Sequence, residues 1–288
     1  MPIKRPGNSS GQENEVRKYY DDNTKMFLKH GEHGSTYGIH QPIYFKSTDD
    51  IGTAMHAQHR MILERMRVAD EPYHVLDLGC GIGSSILYLM EQTPQNVHFT
   101  GITISPDQVY LANKNVTTTA ARNRITFICG SFQQIPQSLP KFDLAYGIES
   151  FIHSPDAAVF FQQVSRNLKT GGILIIFDDI LRRDAITKKE KRVLHEFRTG
   201  WKANNLHQID HLTKLANEVQ LRLDENVDLS PYLKLGRPRD KVIAAAAPFL
   251  RIMPVLNSYA AFLFGGNARQ LGFKAGLLGY RIIVFSKR

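Results

Sequence analysis

Val75-Leu76-Asp77-Leu78-Gly79-Cys80-Gly81-Ile82-Gly83 is the stretch on which the reading of this chain turns. Residues 74–78 read as a short buried strand, apolar from Val75 onward except at Asp77, that leads directly into glycines. Residues 84–91 then carry a helical pattern. Glycine lets backbone approach a ligand closely and adopts positive φ without steric cost. A strand, glycine loop and helix in succession also turn backbone N–H groups toward a polar ligand. A dinucleotide site would share these features, but Asp77 argues against one. A carboxylate just before the loop is unfavourable beside a pyrophosphate and favourable beside an ammonium. The G-x-G-x-x-G pattern is also incomplete, because Ser84 stands at its third glycine position.

Outward from this segment, strands and helices alternate. Residues 97–104 read as a second strand and 106–120 as a helix, with Ser105 as N-cap and Pro106 at the first helical position. Residues 124–129, 142–146 and 173–177 read as further strands. A helix over 156–168, capped by Ser154, precedes the last of these. The alternation places the chain in the α/β class, with a parallel sheet covered on both faces. After Asp179 it stops. Residues 180–204 read as a charged helical insertion, 207–219 as a helix and 220–229 as a sixth strand. Residues 231–264, which include Ala244 to Ala247, read as a second helical insertion, and 279–286 as the last strand. Upstream, 14–30 predicts a helix with Tyr19, Tyr20, Met26 and Phe27 on or near one stripe. Residues 37–45 read as a connector, and about 49–66 as a second helix. The expected organisation is a disordered tail over 1–12, an N-terminal helical lid over 13–70, and a core over 71–288 with cap insertions at about 180–205 and 231–270. Ligands of open α/β sheets bind at the carboxyl edge, beneath such a cap.

The segment 75–83 resembles the first motif of the class I S-adenosylmethionine (SAM)-dependent methyltransferases, V-L-D-L-G-C-G-x-G, and carries it whole. The resemblance implies a Rossmann-like seven-stranded sheet with a helical cap, SAM as cofactor, and Asp77, Gly79 and Gly81 along its methionine part. The chain departs from the acidic residue that ends strand two in the family and grips the ribose. It reads instead Gly101-Ile102-Thr103-Ile104-Ser105-Pro106-Asp107-Gln108. This G-I-T-x-S-x-x-Q pattern is similar to cyclopropane fatty acid synthases and geranyl diphosphate C-methyltransferases, which implies a nucleoside role for Thr103 and Gln108. In Gly130-Ser131-Phe132, Ser131 replaces an Asp that touches the adenine in many relatives, and Phe132 can pack on the base. Tyr19-Tyr20-Asp21 resembles the Y-Y-D opening of small-molecule methyltransferases, implying a lid from which Tyr20 hydrogen-bonds SAM. The segments 228–240 and 265–270 look like biosynthetic-cluster enzymes of the teleocidin-pathway C-methyltransferase type.

Tyr146-Gly147-Ile148-Glu149-Ser150-Phe151-Ile152-His153 follows the cofactor loops, where the transferred methyl group is expected. It lacks the N/D-P-P-Y/F signature of enzymes that methylate exocyclic amines of bases. It resembles the E-S-x-x-H/Y stretch of small-molecule C-methyltransferases. Methyl transfer from a sulfonium is an in-line displacement, so the acceptor must be aligned and water excluded. An alkene acceptor becomes a carbocation and needs a nearby negative charge, then a base. Glu149 can be both, with a pKa raised in an apolar pocket. His153 can assist, or act as the base for O-methylation. Phe151, Trp201, Tyr232, Tyr259, Phe262 and Phe264 are candidate apolar walls.

The formal net charge is +9, with basic clusters at 182–183, 188–192, 234–241 and the C-terminus. A solvated basic face accounts for this, and a prenyl diphosphate acceptor would also suit a basic cap. No metal-ligand cluster stands out. No apolar run approaches the roughly 20 residues of a membrane span, and the N-terminus lacks the apolar stretch of a signal peptide. The two cysteines, Cys80 and Cys129, fall in apparent core segments and read as free thiols of a cytoplasmic protein. The resulting expectation is a SAM-dependent methyltransferase acting on a hydrophobic small molecule of terpenoid-type natural-product biosynthesis. C-methylation of an alkene such as a prenyl group leads. O- or N-methylation of a small molecule is the alternative, and RNA methylation ranks below both. The expected partners are a hydrophobic acceptor, prenylated or a prenyl diphosphate, and a second copy of the chain in a homo-oligomer, with no nucleic acid.

Overall fold

The computed structural model describes residues 9–30, 38–237, 240–241 and 258–288. Among the described residues seven strands build one sheet in the order β3-β2-β1-β4-β5-β7-β6. They are β1 Tyr73–Leu78, β2 Val97–Thr103, β3 Ile125–Cys129, β4 Phe142–Ile148, β5 Leu168–Leu181, β6 Leu221–Asp228 and β7 Leu278–Lys287. The first five pair in parallel, as the alternation predicts. The last strand departs from that expectation. β7 runs antiparallel to both β5 and β6, so the sheet is mixed.

The strand period of two explains why the sheet is buried on both faces. Val75, Leu144, Tyr146, Ile175, Ile282 and Val284 face one core, with Ile86 and Leu89 of α4 (Ser84–Glu91) packed on them. Their neighbours Leu76, Ala145, Leu174, Ile176, Ile283 and Phe285 face the other. There they meet Phe160, Phe161 and Val164 of α7 (Ala157–Asn167) and Leu212 and Ala216 of α9 (Ile209–Glu218). The carboxyl edges of β1, β2, β4 and β5 are thereby held side by side.

Several boundaries differ from the sequence reading for local reasons. α1 spans Ser9–His30, so it begins inside the segment read as a tail, whose residues 1–8 lie outside the described ones. The helix expected over 49–66 is two, α2 Ile51–Met55 and α3 Ala57–Leu63, broken at His56. α5 (Pro106–Asn115) stops before the β-branched run that begins at Val116. Thr118 then caps a separate short helix, α6 Thr119–Arg122, through the Ala121 N–H. α7 is capped by Asp156, which accepts from Ala158 and Val159 N–H, and not by Ser154. Ser154 instead closes the short 3-10 turn Phe151–His153. β5 runs on to Leu181 and takes the first residues of the expected insertion. α8 (Lys188–Trp201) starts later, on a Thr187–Glu190 capping box. Of the second insertion, α10 (Ser258–Lys274) is described, whereas Ala244 to Ala247 lie outside the described residues. Cys80 is buried, but Cys129, read as core, is exposed at the end of β3; both are free. Among the described residues no helix is long and apolar enough to cross a membrane.

Phe161 tests the packing that holds α7 to the sheet. It is fully buried and meets Phe151, Phe160 and Phe285 at ring distances of 5.7, 5.6 and 5.3 Å. Phe161→Ala is expected to cost about 3–5 kcal/mol of unfolding free energy, read from the urea midpoint at unchanged m-value.

Candidate active site

The loop after β1 is built around two glycines. Gly79 has φ +95°, and a Cβ there would lie 2.5 Å from Ser150 Cβ, so the turns that follow β1 and β4 touch. Gly81 has φ +53°, and its Cβ position meets no heavy atom within 4 Å, which leaves the loop open to a cavity. Asp77 lies just beneath, 3% exposed, accepting a hydrogen bond from the Tyr146 hydroxyl at 2.8 Å. Burial pushes its pKa up to about 7, and the Tyr146 bond offsets this only in part.

Next along the carboxyl edge, Thr103 ends β2 and donates to Gln108 Oε1 at 2.6 Å. Gln108 is held there because Ser105 caps α5 through the Gln108 N–H at 3.2 Å. Its Nε2 donates to Thr24 of α1 at 3.1 Å. Beyond β3, Ser131 donates to the Glu13 carboxylate of α1, and Phe132 packs edge-on against Phe160. α1 thus lies over the cofactor-type loops. It is anchored by buried Val16 and Tyr19 and by a Ser105–Asp21 hydrogen bond of 2.5 Å.

Tyr20, also on α1, meets His153. The Tyr20 hydroxyl is 2.8 Å from His153 Nε2, while Nδ1 lies 3.2 Å from the Lys202 carbonyl. A carbonyl only accepts, so Nδ1 carries the proton and Nε2 accepts from Tyr20. Burial lowers the His153 pKa to about 4, so the ring is neutral. Burial also raises the Tyr20 pKa, helped by the carboxylates of Glu149 and Asp178.

Glu149 stands just past β4 with φ +52°, unusual for a residue with a Cβ. Its N–H donates to Phe177 O at 2.8 Å, and its Oε1 accepts from the Gln41 N–H at 2.7 Å. Tyr280 donates its hydroxyl to the same carboxylate. Gln58, fully buried on α3, steadies both donors through Gln41 O at 2.6 Å and the Tyr280 hydroxyl at 3.4 Å. Asp178 and Asp179 lie within the buried run of β5, which continues through Ile180 and Leu181. Arg269 of α10 grips Asp179 in two bonds, of 2.5 and 2.8 Å. Burial raises the Glu149 pKa to about 7, against the opposing pull of Arg269 and the Gln41 N–H. Asp178 is raised as well, by burial and by its neighbour Asp179.

All ten residues singled out from the sequence, namely Tyr20, Asp77, Gly79, Gly81, Thr103, Gln108, Ser131, Phe132, Glu149 and His153, line this one cavity. The apolar walls are a different set from the one expected. Trp201 lines the cavity, with Ile39, Ile148, Ile152 and Leu263. Phe151 is core, fully buried against Phe160 and Phe161. Tyr232 lies at the surface against Phe45, Phe264 is not among the lining residues, and the side chains of Tyr259 and Phe262 lie outside the described ones. Sequence reasoning missed Asp178, Asp179, Arg269, Tyr280 and Gln58. The first two carried a signal, a pair of acids at the end of an apolar strand. The others become visible only when distant segments meet.

Residues 69–220 match the family model of the methyltransferase domain. Methyltransferase GfsG of Streptomyces halstedii is 29% identical over 241 residues, covering 81% of this chain and 84% of that protein. The 24-methylenesterol C-methyltransferase 2 of Oryza sativa subsp. japonica is 30% identical over 208 residues, 65% of this chain and 56% of the rice protein. The solved geranyl diphosphate C-methyltransferase of Streptomyces coelicolor A3(2), in complex with Mg²⁺, geranyl diphosphate and S-adenosyl-L-homocysteine, shares the fold. Its TM-score is 0.69 at 16% identity, over 99% of this chain and 100% of that one. The chain belongs to the methyltransferase domain family and is a SAM-dependent methyltransferase.

The two carboxyls held at about 7 give the ligand-free protein a pH signature. Their folded pKa values lie above the unfolded ones, near 4. Their contribution to stability is therefore full below the unfolded values and is lost as pH rises through about 7. The buried His40 and His153, each lowered to about 4, act in the opposite sense, so the test is a difference: between about pH 5 and about pH 8 the melting temperature of Asp77→Asn or Glu149→Gln should rise relative to that of the unaltered protein in differential scanning calorimetry.

Proposed function

We propose that this methyltransferase acts on carbon, methylating an alkene of a hydrophobic small molecule such as a prenyl group. The observation that carries this reading is Glu149. Its carboxylate lines a partly apolar cavity, is fixed by Gln41 N–H and Tyr280, and has a pKa near neutrality. The names of the relatives support it: one is a sterol C-methyltransferase, and one structural neighbour was solved with geranyl diphosphate.

The cavity suits SAM on its own evidence. Asp77 is a buried carboxylate with a single hydroxyl donor in a position open to an ammonium, and Gly81 leaves room beside it. Asp77, Gly79 and Gly81 would hold the methionine end, with Thr103, Gln108, Ser131 and Phe132 along the nucleoside and Tyr20 above. When bound, SAM supplies an electrophilic methyl group on a sulfonium.

The chain's own residues do the rest. Residues of α1 and Trp201 line the cavity, and with both ligands bound they would shield the sulfonium from water. Glu149, as the carboxylate, opposes positive charge that develops on an alkene carbon, more strongly than a water-screened group would. It then accepts the proton lost when the double bond reforms. Gln58 keeps the two donors of Glu149 in place. His153 is committed to Tyr20 and to the Lys202 carbonyl, and its first task is to hold the lid. A hydroxyl acceptor is the second reading, favoured by that same neutral His153, which can take a proton through Tyr20.

Incubation with methyl-labelled SAM and a panel of prenyl diphosphates, prenylated aromatics and phenols separates the two readings. Glu149→Gln keeps the shape and removes the charge and the base. With an alkene acceptor it should lower kcat by about 10²–10⁴-fold, with SAM affinity nearly unchanged. Near-normal turnover would remove Glu149 from the chemistry and leave orientation as the main source of rate.

A further inference from the structure

We propose that the lid helix completes the nucleoside pocket, with Glu13 of α1 accepting a hydrogen bond from the 6-amino group of the adenine. The inference rests on the reading that SAM lies with its nucleoside toward Ser131 and Phe132. An adenine edge presents N–H donors at its amine, and a buried donor left without an acceptor is costly. The core's own polar side chains at this end are partly engaged, and each acceptor oxygen keeps at most one lone pair. Thr103 donates to Gln108, and Gln108 donates to Thr24. Ser131 accepts from the Gln133 N–H at 3.0 Å while donating to Glu13.

The other acids lining the cavity lie elsewhere. Asp77 is on β1, two strands from β3 in the sheet order. Glu149 follows β4, and Asp178 and Asp179 lie near the carboxyl end of β5, further still. At about 4.8 Å per strand, none of these reaches the end of β3. Asp240 accepts from the Arg237 N–H, in the segment before α10. Glu13 lies at the β3 end, lines the cavity and touches Ser131. A carboxylate offers about four lone-pair sites, and the Ser131 hydroxyl uses one. Since Glu13 rides on α1, the bond that reads the base also closes the lid, so nucleoside recognition and closure reinforce each other.

Calorimetry with S-adenosylhomocysteine and S-inosylhomocysteine tests this, because the second ligand replaces the 6-amine with an oxo group. Wild-type protein should prefer the adenosyl ligand by about tenfold or more, the value of one charge-assisted hydrogen bond. Glu13→Ala should bring the two affinities close together. Glu13→Gln should move the preference toward the inosyl ligand, because an amide can donate to the oxo group where a carboxylate cannot. Variants that retain the wild-type preference, or Glu13→Ala weakening both ligands equally, would overturn the adenine contact while leaving the cofactor site standing. Wild-type protein that binds neither ligand would overturn the cofactor reading and this inference with it.

Discussion

Arg269 and Asp179 form the ion pair on which the arrangement at the carboxyl edge depends. Asp77, Glu149, Asp178 and Asp179 lie near the carboxyl ends of three adjacent strands, and Arg269 is buried beside Asp179 and Glu149 at 3% exposure. A buried charge without a partner is expensive, and removing one member of such a pair leaves the other uncompensated. The pairing draws α10, from late in the chain, onto the site. There the guanidinium also lies 4.9 Å from the Phe273 ring centre and 5.2 Å from that of Trp201. A close approach of Gly265 to Trp201 locks α10 to α8. Charge balance in the site and placement of the cap are therefore a single problem with one solution.

A second consequence concerns α1. α1 makes polar contacts with side chains spread along the edge of the sheet: Ser131 by Glu13, Ser105 by Asp21, Gln108 by Thr24 and His153 by Tyr20. These contacts fall on the segments that follow β2, β3 and β4, including the N-terminus of α5 and the 3-10 turn. A helix tied at so many points couples these segments to one another, and a change at any one of them bears on how firmly α1 is held. Neutral His153 suits this role, since its fixed tautomer leaves Nε2 free to accept from Tyr20 across physiological pH.

The core and the cofactor-type loops were legible because their signals are local. The 74–78 run, the glycines after it and the Ser105 cap each act through near neighbours, and β1, α4 and the N-terminus of α5 lie where the pattern puts them. The antiparallel β7 was not legible, because strand direction depends on the path of the chain between elements and leaves no mark in periodicity. The aromatic walls misled for a related reason. Phe151 sits two residues beyond Glu149, yet the 3-10 turn directs it into the core between Phe160 and Phe161. Gln58 and Tyr280, 222 residues apart, meet only in the folded sheet.

The backbone at Glu149 shows how the fold sustains a strained position on the cavity wall. A left-handed conformation costs a residue with a Cβ roughly 1–2 kcal/mol, and such conformations persist where the surroundings over-determine them. Here they do. The Glu149 N–H is held by Phe177 O, and its carboxylate by Gln41 N–H and Tyr280. The next residue, Ser150, donates its hydroxyl to Leu78 O and abuts Gly79, where a side chain would collide. Glycine would relieve the backbone strain at 149 and abolish the carboxylate. The left-handed turn and the chemistry assigned to it thus conflict at this position, and the sheet's rigid carboxyl edge supplies the constraint that lets a glutamate remain there.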